Sequence, residues 1–264
     1  MAKKKKFCEI VKDWTAETRV AKAQDCVKQL TERVQRPISL HAANKIINYS
    51  STLSEQIPRS YAGHAFQDFQ NAMFRYEVMQ ILALWDKAAE NSFSIPTVIE
   101  LIDCDEVISI LSKETFDAHA NRGARNLNPS NDPKIQNEID RLIRGHQERF
   151  ATSQAELAEQ TLKECIGEAR ELVNRETTTS IRNFRDHLSH SLWATYAESS
   201  ASKRGASISN AKFGEERQLL DQTVRLVQDL YCWVNGVSFD LSGDISDRAE
   251  RNARELWANC RFDI

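Results

Sequence analysis

Apolar residues recur every three or four positions along most of the chain, as they do on the buried face of an α-helix. Three stretches carry the strongest pattern and predict helices: Arg59–Ala89, Pro133–Glu176 and Glu215–Val234, the last stopped by Asn235-Gly236. A weaker amphipathic pattern precedes Pro37, which we expect to end the first helical run, and another covers residues 245–260. The pattern therefore predicts an all-α protein.

The composition agrees with the helical pattern. The 264 residues include only 8 Gly and 5 Pro, and Ala, Glu, Gln, Arg and Leu are frequent. A chain of this length with 41% hydrophobic residues can bury a substantial core, as one large domain or as one domain with appendages. The formal net charge of −3 excludes a global basic field, so any RNA binding must come from a local patch or a narrow cleft.

The cysteines and the amino terminus bear on metal binding and location. Six cysteines are scattered with no Cys-x-x-Cys pair and no histidine at ligand spacing, so we expect reduced thiols, no metal site and no cofactor. Lys3–Lys6 is not followed by an apolar segment, which argues against a secretory signal. No apolar run approaches the length that spans a membrane. We expect a cytoplasmic protein without membrane contact.

The candidate chemistry lies in residues 181–193. On a helix, this stretch has one apolar stripe, and a separate polar face formed by Arg182, Asp186, Ser189, His190 and Trp193. Asp186 and His190 are four positions apart, so the carboxylate can hold one imidazole nitrogen and select its tautomer. Arginine, imidazole and carboxylate together suit phosphodiester chemistry. A solvated helix face with ordinary surface histidines is the alternative interpretation.

The ends of this candidate helix follow from the residues around it. Four hydroxyl residues at 177–180 favour a helix start near Glu176–Thr178. We expect the helix to end around Tyr196–Ser199 and to be followed by a polar loop that reaches Phe213.

Three blocks of the sequence resemble a known family. Arg185–Leu192 looks like the Arg-x4-6-His signature of HEPN domains, in which Asn, Asp or His often follows the arginine. Two further blocks are similar to the abortive-infection AbiU-type branch of that superfamily: Lys212–Glu216 with the helix after it, and Leu84–Lys87 followed by Ser94–Val98. The resemblance covers roughly residues 60–235.

Two overlapping registers fit the signature. Arg185 with His190 is the preferred register, because family histidines are typically preceded by a small residue and followed by a small polar one, here Ser189 and Ser191. The alternative register pairs Arg182 with His187, and Asn183 fits its second position.

The resemblance implies a fold and a division of the chain. It implies an antiparallel HEPN-like helical bundle over residues 59–235 that carries the Arg-x4-His motif. On this reading, residues 1–58 form an N-terminal helical extension and residues 236–264 a C-terminal one.

The resemblance also implies a reaction, namely metal-independent RNA cleavage in which the ribose 2′-hydroxyl attacks the adjacent phosphorus. Arg185, His190 and Asp186 would then be catalytic, and RNA would bind to Arg182, Asn183, Ser189, Ser191, Lys203 and Arg204. A role as a toxin in abortive infection or phage defence would go with an antitoxin or a phage-derived trigger as partner. The rival interpretation is a non-catalytic HEPN-like module that binds RNA, a nucleotide or a protein.

Helix geometry adds an expectation about assembly. Positions 185 and 190 are five apart, which places them roughly 140° apart around an ideal helix axis. They converge poorly on one phosphate within a single helix, whereas two facing copies of the helix can supply both residue types to one groove. The HEPN resemblance implies the same arrangement, and we expect a homodimer.

Overall fold

The computed structural model describes residues 6–57, 61–121, 132–190, 194–209 and 214–261, with only the backbone described for Ser54 and for residues 188–190. Across these residues the chain is helical and contains no strand, which confirms the all-α prediction. The helices are α1 Phe7–Val11, α2 Ala16–Tyr49, α3 Ser51–Gln56, α4 Tyr61–Ala83, α5 Ile95–Ile102, α6 Asp105–Ala120, α7 Pro133–Asn174, α8 Glu176–His190, α9 Tyr196–Ser202, α10 Glu215–Asn235 and α11 Ser246–Asn259, the last preceded by a π-helical turn Leu241–Ile245.

Helix α2 lies at the centre of the fold and packs against α4, α5, α6, α10 and α11. Its buried apolar side chains recur along its whole length: Val20, Ala23, Val27, Leu30, Val34, Ile38, Ala42 and Ile47. One continuous hydrophobic cluster joins these residues, except Ile47, to apolar residues of α4, α5, α7, α10 and α11. The division of the chain at residues 58 and 236 remains a prediction.

The expectation that Pro37 ends the first helical run is wrong, because α2 continues through it to Tyr49. An interior proline removes one backbone hydrogen bond and crowds the preceding turn, at a cost of about 3 kcal/mol. Val34, Ile38 and Ala42 are at most 6% exposed on either side of it. Burial of this apolar face offsets the local cost, since tertiary packing supplies most helical stability in proteins.

The other strong helix predictions are confirmed, but α4 ends at Ala83 and not at the predicted Ala89, so that Trp85 and Asp86 lie outside the helix. The predicted Arg59–Ala89 helix is α4, the predicted Pro133–Glu176 helix is α7, and the predicted Glu215–Val234 helix is α10. Gly236 follows α10 in the left-handed conformation with φ of 65°, as the Asn-Gly stop signal indicates. No helix among the described residues is long and apolar enough to cross a membrane.

Helix α8 carries the candidate motif and packs against α4, α7 and α10. It starts at Glu176, as the hydroxyl residues predict. Ile181 is 2% exposed, and the Phe184 ring lies 6.1 Å from the Phe74 ring of α4. Ile181 and Phe184 therefore face the core, whereas Arg185 contacts the segment after α4, and Asn183 and His187 contact α9.

The motif helix does not run on to residues 196–199 as expected. Thr195 has extended backbone angles and caps a separate helix, α9, whose N-terminal turn contains Glu198. Thr195 Oγ1 accepts a hydrogen bond from the Glu198 amide at 3.2 Å, and the Glu198 carboxylate accepts one from the Thr195 amide at 3.0 Å. This reciprocal capping box favours the start of a new helix after Thr195 over continuation of the motif helix.

Candidate functional site

Arg185 lies at the surface between α8 and the end of α4, with its side chain 30% exposed. Its Nη1 atom donates to Asp86 Oδ1 at 3.1 Å. Its Nε and Nη2 atoms both donate to Asp186 Oδ1, at 3.2 and 3.1 Å. Two carboxylates from different parts of the chain therefore orient a guanidinium that still contacts solvent.

Arg182 has a different environment. Its Nη1 atom donates to the Val173 carbonyl at 3.1 Å and its Nη2 atom to the Trp85 carbonyl at 3.2 Å. Burial, followed by the positive charge of Arg185, lowers the pKa of Arg182, yet an arginine side chain stays charged in proteins. Arg182 therefore ties the ends of α7 and α4 to the motif helix.

Residues 85 and 86 bind both arginines and are themselves anchored to α10. Trp85 is 2% exposed, and its indole Nε1 donates to Thr223 Oγ1 of α10 at 2.8 Å. This bond anchors the segment whose Trp85 carbonyl binds Arg182 and whose Asp86 carboxylate binds Arg185.

The opposite side of α8 carries a polar network with α9. Asn183 is 5% exposed, and its amide nitrogen donates to Glu198 Oε1 at 2.6 Å while its amide oxygen accepts from the Thr195 hydroxyl. His187, one turn later on α8, places its Nε2 atom 2.8 Å from the same Glu198 oxygen. Two side chains of α8, Glu198 of α9 and the capping residue Thr195 thus form one continuous hydrogen-bonded group.

Glu198 is the charged centre of this group. Hydrogen bonds from Asn183, from His187 and from the Thr195 backbone lower the pKa of Glu198 to about 2, so its carboxylate is ionised near neutral pH. An ionised carboxylate only accepts hydrogen bonds, and therefore Nε2 of His187 must carry the proton. In the neutral ring this leaves Nδ1 as the acceptor nitrogen.

The structure divides the candidate residues between two sides of α8. Arg185 lies with Asp86 and Asp186, whereas Asn183 and His187 lie with Glu198 and Thr195. The two members of the alternative register are separated in the same way, since Arg182 binds carbonyl groups near α4 and α7 while His187 binds α9.

Comparison with known proteins gives a family. The HEPN_AbiU2 family, described as AbiU2, matches residues 4–256. The chain belongs to the AbiU2 family. Comparisons with curated proteins and with solved structures give no match. The match extends beyond residues 60–235, the range over which the sequence blocks resemble the family, and it includes α2 and most of α11.

Some predicted site residues of this AbiU2-family protein lie outside what the structure describes. The backbone of α8 is described through His190, but the side chains of Ser189 and His190 are not, and neither are Ser191 and Trp193. Lys203 and Arg204 are exposed just after α9, and Arg204 Nε donates to the Ser200 carbonyl at 3.2 Å. The predicted roles of these residues remain predictions.

Three residues that bind Arg185, Asn183 or His187 in the structure were not among the predicted site residues. Asp86 stands inside the Leu84–Lys87 block that carries part of the resemblance, but its pairing with Arg185 spans 99 positions. Thr195 and Glu198 fit the Thr-x-x-Glu capping-box pattern. This pattern predicts that a new helix starts at the place where the motif helix was expected to end. Among the residues with described positions, no group of three or more His, Cys, Asp or Glu side chains is placed to hold a metal ion.

Proposed function

We propose that this AbiU2-family protein is a metal-independent endoribonuclease that acts as a toxin in abortive infection or phage defence. One observation carries the proposal: Arg185 presents a partly exposed guanidinium, oriented by two carboxylates, on the helix that also carries His190. A planar guanidinium binds phosphate oxygens in pairs and stabilises charge that develops on them during cleavage.

The proposed reaction uses the ribose 2′-hydroxyl as nucleophile. A base removes its proton, the oxygen bonds to phosphorus, and the bond from phosphorus to the 5′-oxygen breaks. The 5′-oxygen takes up a proton, which leaves a 2′,3′-cyclic phosphate and a free 5′-hydroxyl. We assign the proton transfer to His190 and the phosphate contact to Arg185, with Asp186 holding Arg185 in place.

The hydrogen bonds described above refine the proposed RNA contacts. Both polar ends of the buried Asn183 amide bind protein groups, and two of the Arg182 nitrogens bind carbonyl oxygens. In the proposal these two residues keep α8 in position, and Lys203 and Arg204 with the serines beside His190 contact the RNA.

The proposed active unit is a homodimer. Because positions 185 and 190 are roughly 140° apart around an ideal helix axis, a phosphate between two facing copies of α8 can take its arginine from one protomer and its histidine from the other. Mixing Arg185→Ala protein with His190→Ala protein should then restore part of the activity. A protein that is monomeric at working concentration by light scattering would rule out the dimer.

The test of the reaction is cleavage of a labelled RNA by purified variants. Arg185→Ala and His190→Ala should each abolish cleavage and growth inhibition. The wild-type protein should yield products that end in a cyclic phosphate, and it should keep its activity in EDTA. His146→Ala and Arg141→Ala change exposed residues of α7 and serve as matched controls. Full activity of His190→Ala with an inactive His187→Ala would assign catalysis to the alternative register.

A non-catalytic binding module is the second candidate, and the acidic neighbours of Arg185 favour it. Asp86 and Asp186 offset the positive charge of Arg185, which weakens its ability to stabilise the negative charge that develops on the phosphate during cleavage. On this reading, wild-type protein binds RNA but yields no cyclic phosphate, and Asp86→Asn strengthens binding.

A further inference from the structure

Four large apolar side chains of α7 are exposed on one face of the helix. They are Ile135, Leu142, Phe150 and Leu157, which are 53%, 64%, 48% and 44% exposed. Their steps of seven, eight and seven positions keep them within about 80° around the helix axis. The side chains that α7 buries in the bundle begin at Ala151 and lie on a different face. Single exposed apolar residues are ordinary, whereas a continuous exposed row marks an interaction surface.

The first part of α7 has little burial of its own to stabilise it. Each of residues 133–150 is exposed or half-buried. This part packs against α6, where the Phe150 ring lies 5.3 Å from the His119 ring. An isolated helix of this length is marginal in water, and most helical stability in proteins comes from packing of an apolar face. A second molecule on the exposed face would therefore stabilise the helix further.

The order of the exposed residues is symmetric about position 146. Ile135 and Leu157 are each eleven positions from the exposed His146. Leu142 and Phe150 are each four positions from it. In two antiparallel copies of the helix related by a two-fold axis at position 146, every apolar residue thus meets an apolar residue. A two-fold interface requires this self-complementarity, because residue i meets residue j and residue j meets residue i. A different protein or a membrane surface imposes no such symmetry.

The charges beside the apolar face allow two identical copies to approach. Helical positions place three cations and three carboxylates along one flank of the face, so the flank has no excess of either sign. Two copies are therefore not held apart by like charge, and the flank lacks the excess of cations that favours an anionic surface. These residues are Lys134, Arg141, Arg149, Glu138, Glu156 and Glu159.

We infer that residues 133–157 of α7, the arm, pair with the arm of a second copy of this chain in antiparallel orientation. The two-fold axis passes at position 146, and the apolar rows overlap over about 35 Å. The arm is separate from the motif helix: Val173, which binds Arg182, lies sixteen positions beyond Leu157, about 24 Å along the axis. The inference therefore does not rest on the proposed function, and a protein that also pairs through α8 would form assemblies larger than a dimer.

The first experiment is a cysteine cross-link at the axis. Packed helices lie 8–10 Å apart, so facing Cα atoms at the axis come within the range that a disulfide spans. After oxidation with diamide, His146→Cys should give a covalent dimer on a non-reducing gel. Arg144→Cys also changes an exposed residue, on the opposite side of the helix, and should stay at the wild-type background. The six native cysteines are present in all three proteins, so the wild type supplies that background.

The second experiment measures mass by light scattering of the full chain. Leu142→Glu places a carboxylate in the apolar row twice per pair, and should raise the dissociation constant by at least about a hundredfold. The mass at micromolar concentration should then fall to half. Leu256→Glu changes a leucine of α11 that is 59% exposed, and should keep the wild-type mass. Circular dichroism verifies that both variants keep their helices.

Three outcomes overturn the inference. One is a wild-type protein that is monomeric at high micromolar concentration, which would leave the arm to a different protein. Another is a Leu142→Glu protein with the wild-type mass, and if Arg185→Ala lowers the mass instead, the copies meet at α8. The third is cross-linking of His146→Cys no greater than that of Arg144→Cys.

Discussion

His187 of α8 and Glu198 of α9 form a direct hydrogen bond, with 2.8 Å between His187 Nε2 and Glu198 Oε1. The bond joins the candidate motif to a segment eleven positions later that turns back onto it. The same carboxylate oxygen accepts the amide of Asn183. The pair therefore fixes the tautomer of His187 and links α9 to α8.

The low pKa of Glu198 predicts a pH dependence of stability. Because the folded-state pKa, about 2, lies below the ordinary value of 4.5, the ionised form stabilises the fold. This contribution is complete above the ordinary pKa and is lost as the pH falls through the folded one. Glu198→Gln should therefore be less stable than wild type at pH 7, and the difference between their urea midpoints should shrink towards pH 3.

The control for this experiment is Glu138→Gln on the exposed part of α7. It should follow the wild-type midpoint across the same pH range. A constant difference between Glu198→Gln and wild type from pH 7 to pH 3 would contradict the role assigned to the Glu198 charge.

Asn183→Ala should lower the free energy of unfolding by about 1–3 kcal/mol, because it leaves the Thr195 hydroxyl and one Glu198 contact unsatisfied beside a buried site. Equilibrium urea denaturation measures the loss. Asn137→Ala changes an exposed asparagine of α7 and should stay within about 0.5 kcal/mol of wild type. Equal stability of both variants would mean that the network does not contribute to the fold.

Substitution of Arg182 should reduce stability, whereas substitution of Arg185 should abolish activity with little loss of stability. Arg182→Ala removes two hydrogen bonds to main-chain carbonyls and should lower the free energy of unfolding by about 1–3 kcal/mol. Arg185→Ala removes only partly exposed ion pairs and should cost less than about 1 kcal/mol while it abolishes RNA cleavage. Thermal melting and cleavage assays of both proteins test this, and a destabilised Arg185→Ala would place that residue in the structural role instead.

Thr223→Val tests the anchor beneath the site. The substitution preserves shape but leaves the buried Trp85 indole without its acceptor, so we expect a loss of about 1–3 kcal/mol in the free energy of unfolding. Because Trp85 and Asp86 hold both arginines, cleavage should fall as well. Thr152→Val on exposed α7 is the matched control. Unchanged cleavage in a destabilised Thr223→Val protein would show that the anchor affects folding alone.

The sequence by itself determined the helical class, the long helices and the place of the candidate motif on a helix. These follow from local rules, since an apolar stripe and a glycine stop act within a few residues of the chain. The resemblance of short blocks also identified the family, because each block is a continuous run of residues that can be recognised without the fold.

Only the tertiary structure decided what the motif residues touch. Asp86 reaches Arg185 because Trp85 is buried against α10, and Glu198 reaches His187 because Thr195 starts a new helix. Packing also carried α2 through Pro37, against the local preference of proline. In each case the decisive energy comes from burial and hydrogen bonds between elements distant in sequence, and a periodic pattern holds no information about which elements will meet.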